Sequence, residues 1–70
     1  MTNEETNRLI TLERMLAKHD WQYQYSDDHS VWKSGQASQE AIFTEIDALT
    51  KLGFSKQANH LFNQAVLKYL

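Results

Sequence analysis

Five side chains able to bind metals or carry protons fall close together, His19, Asp20, Asp27, Asp28 and His29, with His60 much further along. Imidazole and carboxylate are suitable zinc ligands and suitable general acids or bases near neutral pH. Their spacing argues against both uses. His19 and Asp20 are adjacent, so on a helix they project about 100° apart, and no pair at i and i+4 sets two ligands on one helical face as an HExxH motif would. Asp27 or Asp28 is better explained as a helix cap, whose carboxylate accepts hydrogen bonds from free amides. His60 reads as a solvated or hydrogen-bonded helix residue. A metal-dependent hydrolase is thus disfavoured, and no nucleophile, phosphate-cradling glycine loop or carboxylate pair can be assembled in its place. The expectation is a non-enzyme with neither metal nor cofactor.

The second chemistry is recognition. Trp21-Gln22-Tyr23-Gln24-Tyr25-Ser26-Asp27-Asp28-His29-Ser30-Val31-Trp32 holds four of the chain's eight aromatic residues. Tryptophan and tyrosine are over-represented at interface hot spots, because they offer large area at low rotamer cost together with a polar tip. The competing use is closure of a small core. Trp21 and Trp32 suit that use best, whereas alternation along the segment should expose part of Tyr23 and Tyr25. A partner-binding surface built from Trp21, Tyr23, Tyr25, Asp27, Asp28 and Trp32 is the expectation.

The elements that must position these residues are helices. Proline is absent and only two glycines occur, so apolar spacing sets the boundaries. Leu9, Leu12, Leu16 and His19 recur at three- and four-residue steps, with Ile10 and Met15 widening the stripe, and Thr2 with Glu5 forms a capping-box pattern. A first helix is predicted from about Asn3 to His19. Trp21, Tyr23 and Tyr25 alternate with Gln22 and Gln24 like a strand, but no second segment alternates to pair with them. Asp20 to Tyr25 is therefore expected to be an extended connector laying its aromatics over the helices.

Ser26, Asp27 or Asp28 should open a second helix, along which Val31, Gly35, Ser38, Ile42, Ile46, Leu49 and Leu52 share one side, flanked by Trp32 and Phe43. Gly35 would cost ~1 kcal/mol relative to alanine inside a helix, so a continuous helix implies close approach by a neighbouring backbone there. Gly53 fits a C-terminal cap with positive φ, Phe54 its apolar contact, and Ser55 the cap of a third helix. That link predicts an antiparallel hairpin. Ala58, Leu61, Phe62, Ala65, Val66, Tyr69 and Leu70 form the third apolar face, which could exceed what one protomer covers and so leaves a homodimer open. Residues 1–70 make one all-α, three-helix domain with an expected stability of roughly 4–10 kcal/mol.

Composition narrows the function. Hydrophobic residues at 41% and charged residues at 23% are ordinary globular usage, excluding a disordered tail. Seven basic against nine acidic residues give a net charge of -2, without the concentrated positive field that phosphate contacts need. Direct nucleic-acid binding is not expected. No cysteine, basic apolar leader or apolar run of the ~20 residues needed for a bilayer occurs, so a cytoplasmic protein is expected.

The run Asp20-Trp21, Tyr23, Tyr25-Ser26-Asp27-Asp28-His29, Val31-Trp32, Gly35 and Ala37 resembles a pattern in short bacterial, plasmid and phage proteins of unassigned activity. It covers about a quarter of the chain. The resemblance implies a compact mobile-element protein that binds something larger. A fainter likeness is to the Hha family of helical proteins that modulate nucleoid silencing through a nucleoid protein. It rests on Thr11-Leu12-Glu13-Arg14, Ser26-Asp27 and Val31-Trp32-x-Ser34. The functional expectation is a protein-binding regulator or inhibitor acting on a host protein, with an Hha-like modulator of transcription as the alternative.

Overall fold

Leu9, Leu12 and Leu16 lie along the inner side of a helix spanning Asn3–Lys18 (α1) in the computed structural model, which describes residues 3–68. Glu4 and Glu5 in its first turn and Lys18 in its last complement the helix dipole. The capping-box serine-type partner, Thr2, lies outside the described residues, as do Tyr69 and Leu70 of the third apolar face. α1 ends one residue before the predicted His19, although the His19 amide still donates to the Met15 carbonyl at 3.1 Å.

The second helix spans His29–Lys51 (α2) without interruption at Gly35, and the third spans Ser55–Leu67 (α3). At 1.5 Å per residue α2 is ~34 Å long, the longest element of a molecule measuring 43 × 22 × 16 Å. Each helix packs against the other two. Among the described residues there is no strand, and no helix is long and apolar enough to cross a membrane.

The core is small. Leu12, Ile42 and Leu49 are fully buried, Leu16 and Ala58 join them, and Leu9, Met15, Trp21, Ile46, Phe54, Leu61, Phe62 and Ala65 pack around the edge. Burial of each large aliphatic side chain stabilises the fold by roughly 1.5–3 kcal/mol. Ala58, Leu61, Phe62 and Ala65 of the third apolar face are thus packed within one protomer. Arg8 Nε donates to Glu45 Oε1 at 2.8 Å and ties α1 to α2. Glu45 is partly buried where it makes that contact. A further ion pair, Lys51 with Asp47 at 3.1 Å, lies along the surface of α2.

α2 and α3 are joined through Leu52, Gly53 and Phe54. Gly53 adopts φ +92°, its amide donates to the Thr50 carbonyl at 3.0 Å, and the Phe54 amide donates to the Leu49 carbonyl at 2.9 Å. This is the paired bonding of a Schellman cap, with Phe54 packed against the core as its apolar contact. The predicted capping role of Ser55 is corrected. Phe54 occupies the N-cap position and no side chain caps α3; the Ser55 hydroxyl instead accepts from Asn59 Nδ2 at 3.2 Å. The tight Schellman link places Ser55 inside the first turn, beyond the position from which its hydroxyl could cap.

Candidate functional site

The connector between α1 and α2 carries most of the residues that sequence singles out, and its backbone is not extended as predicted. Asp20 Oδ1 accepts from the Gln22 amide at 2.9 Å, forming an Asx turn. Three short-range bonds follow: the Tyr23 amide to the Asp20 carbonyl, Tyr25 to Gln22, and Ser26 to Tyr23. They wind Tyr23–Tyr25 into a 3-10 turn. Three residues per turn replace the two of a strand, so the alternating aromatics do not share a face. Tyr23 goes in and Tyr25 goes out, at 5% and 85% exposure.

Tyr23 is held by a socket in α2. A Cβ on Gly35 would overlap Tyr23 Cβ and Cγ and stand 2.6 Å from Cδ2, well inside van der Waals contact. Gly35 therefore does permit close approach, as expected, but of the Tyr23 side chain rather than a backbone. The Tyr23 hydroxyl donates to Gln39 Oε1 at 2.7 Å, one helical turn further along α2. Its ring meets His19 edge-on at 5.6 Å and Trp32 at 6.4 Å. Trp21 turns the other way, against His19 at 4.5 Å and Phe62 of α3 at 5.6 Å, and belongs to the core.

Ser26, Asp27 and Asp28 lead into α2. The Ser26 hydroxyl accepts from the Asp28 amide at 3.1 Å. Asp28 is the cap: its Oδ1 accepts from the Ser30 amide at 2.9 Å and from the Ser30 hydroxyl at 2.7 Å. These bonds from Ser30, the hydroxyl's foremost, hold the Asp28 carboxyl below the usual carboxylate range. Asp27 has no hydrogen bond or ion-pair partner among the described residues. His29 and Trp32 lie with nearly parallel rings 6.4 Å apart on the first turn of α2, and Trp32 is 37% exposed.

The six residues singled out by sequence thus divide. Trp21 and Tyr23 present little surface and fix the connector to the helices, while Tyr25, Asp27, Asp28 and Trp32 face outward on the same short stretch. Exposed Trp32 is not the second bracket of the core that its size suggests. Its ring lies against those of Tyr23 and His29, and the Gly35 position beside Tyr23 is filled by the tyrosine itself.

A second candidate is one that sequence reasoning did not assemble. His19 is 4% exposed, its Nδ1 lies 3.0 Å from Ser38 Oγ, and both border a cleft of about 390 Å³ between Asp20, Tyr23 and the serine-bearing edge of α2. A histidine bonded to a serine is the beginning of a nucleophile–base pair. The remaining parts are missing from its geometry. His19 Nε2 is buried with no partner, so no carboxylate orients the ring. Ser38 sits well inside α2, where amides are engaged in the helix and cannot serve as oxyanion donors. Burial also holds the His19 imidazole below its ordinary pKa, partly opposed by nearby Asp20. The pair acts as a clip between α1 and α2. The position of His19 in the apolar stripe carried the signal of its burial; Ser38, nineteen residues away, could not be named as its partner.

Among the described residues no three histidine, aspartate or glutamate side chains converge as a metal site. No protein-family model matches the chain, no curated protein is similar to it at a significant level, and no solved structure matches its fold.

Proposed function

We propose that the chain is a small non-enzymatic binding module, a regulator or inhibitor of the kind carried by phages and other mobile elements, that grips a larger protein through its connector and the first turn of α2. One observation carries this reading. Tyr25 and Trp32 expose aromatic surface on a segment whose backbone is fixed by Tyr23, buried in its Gly35 socket, and by the Asp28 helix cap. Aromatic side chains held this way lose little further entropy on binding, which is the physical basis of a hot spot. The Asp28 carboxylate, held by Ser30, and the exposed Asp27 carboxylate supply a polar rim.

The test is affinity capture with tagged wild type beside a Tyr25→Ala, Trp32→Ala double variant, followed by mass spectrometry. A single protein retained by wild type and lost by a variant of near-unchanged thermal midpoint is the expected result, with a loss of ~2 kcal/mol or more if either residue is a hot spot. Retention of the same proteins by both would sink the proposal. Capture of a nucleoid protein would select the Hha-like modulator among the regulators.

A further inference from the structure

The charges of the chain are unevenly placed. Asp20, Asp27 and Asp28 against Lys33 leave residues 20–33 with a net charge of -2, which is the formal charge of the whole chain. The six acidic and six basic residues elsewhere cancel. Both ion pairs among the described residues, Arg8 with Glu45 and Lys51 with Asp47, lie outside this segment. All three aspartates are exposed, and among the described residues none has a cation within ion-pair distance. The carboxylates of Asp20 and Asp28 are turned toward backbone amides, which fixes their direction without neutralising them.

Resting on the binding reading above, we infer that the partner presents a basic segment, with arginine as its anchoring side chain, to the stretch on which Tyr25, Asp27 and Trp32 are exposed. Arginine matches both halves of this surface. Its planar guanidinium stacks on an exposed indole or phenol ring and also donates to a carboxylate, whereas lysine offers a compact, strongly hydrated charge. Asp27 supplies the carboxylate that no fold contact uses. The positive end of the α2 dipole, which would oppose a cation, is offset by the Asp28 cap at the same position.

The experiment is a heteronuclear NMR titration of the whole ¹⁵N-labelled chain with a capped glycine–arginine repeat peptide, beside lysine and glutamate peptides of equal length. The expected result is movement of the Trp32 indole N–H and of amides in residues 25–33 with the arginine peptide, less with lysine and none with glutamate. Asp27→Asn should weaken the arginine peptide about two- to fivefold at low salt, the range for an exposed ion pair. Trp32→Ala should abolish the shifts. The inference is overturned by equal response to all three peptides, by no response, or by shifts centred elsewhere. It also fails separately from the binding reading: a protein captured through Tyr25 and Trp32, yet indifferent to salt and to Asp27→Asn, would leave the surface in place and remove its basic partner.

Discussion

The two links between helices solve the same problem by different means. Leu52–Gly53–Phe54 reverses the chain with backbone hydrogen bonds, one positive φ and one apolar contact, and carries no exposed aromatic or charged side chain, only a half-exposed Leu52. The segment from His19 to Asp28 also reverses the chain, using an Asx turn, a 3-10 turn, a buried tyrosine and a helix cap. Yet it retains an exposed tyrosine and an aspartate with no partner among the described residues, and a partly exposed tryptophan follows in the first turn of α2. A link that only needed to turn could omit them. The surplus side chains, and not the cleft at His19, are what distinguish this connector from its short counterpart.

The comparison breaks most sharply at the two glycines. Gly35→Ala should lower stability by about 1–3 kcal/mol in denaturant unfolding, since overpacking against Tyr23 outweighs the gain in helix propensity. In a Tyr23→Gly background, which removes the overlapping Cβ as well as the ring, the same change should become neutral or stabilising. If the Gly35 effect is unaltered by removing Tyr23, the socket is not its cause. Gly53→Ala should cost about 1–2 kcal/mol for a different reason, strain at φ +92°, and should not couple to Tyr23 at all.

Acidification should sharpen the contrast. The pKa of His19 is lowered in the folded chain, so the unfolded chain binds more protons wherever this group titrates. Its contribution to stability is present above the ordinary histidine value of 6.5 and is lost as pH falls through the lowered one. The thermal midpoint should therefore decline below about pH 6.5, and His19→Gln should flatten that limb. An unchanged limb would assign it to another group. Asp28, whose pKa is also lowered, should add a separate loss near and below its ordinary 3.8. The smallest effect belongs to Tyr25→Ala, within about 0.5 kcal/mol of wild type, because the side chain is 85% exposed. A larger loss would place Tyr25 in the fold and remove it from the proposed surface.

Most of the architecture is legible in the sequence because it is encoded locally. Three- and four-residue steps mark the buried sides of α1 and α2, Gly53-Phe54 marks the Schellman link, and the aspartates before His29 mark the cap. The connector misleads because Trp21, Tyr23 and Tyr25 alternate like a strand. Their backbone is decided instead by Asp20, whose carboxylate reaches the Gln22 amide; an aspartate at a helix end is the signal that could have shown it. The division of the candidate site was out of reach for another reason. Whether Tyr23 or Tyr25 turns inward depends on a gap at Gly35 and an acceptor at Gln39, both on another helix. Arg8 with Glu45, thirty-seven residues apart, is equally invisible to local spacing.

The brevity of the α2–α3 link bears on the order of events in folding. Closing a three-residue turn costs little entropy, whereas seating α1 requires partners as distant as Arg8 and Glu45 to find each other. The hairpin of α2 and α3 should therefore assemble first and the connector settle last. Trp21, whose ring meets Phe62 of α3, is a natural fluorophore for that final step, and a Trp32→Phe background would isolate its signal from that of Trp32, which meets Tyr23 of the same connector.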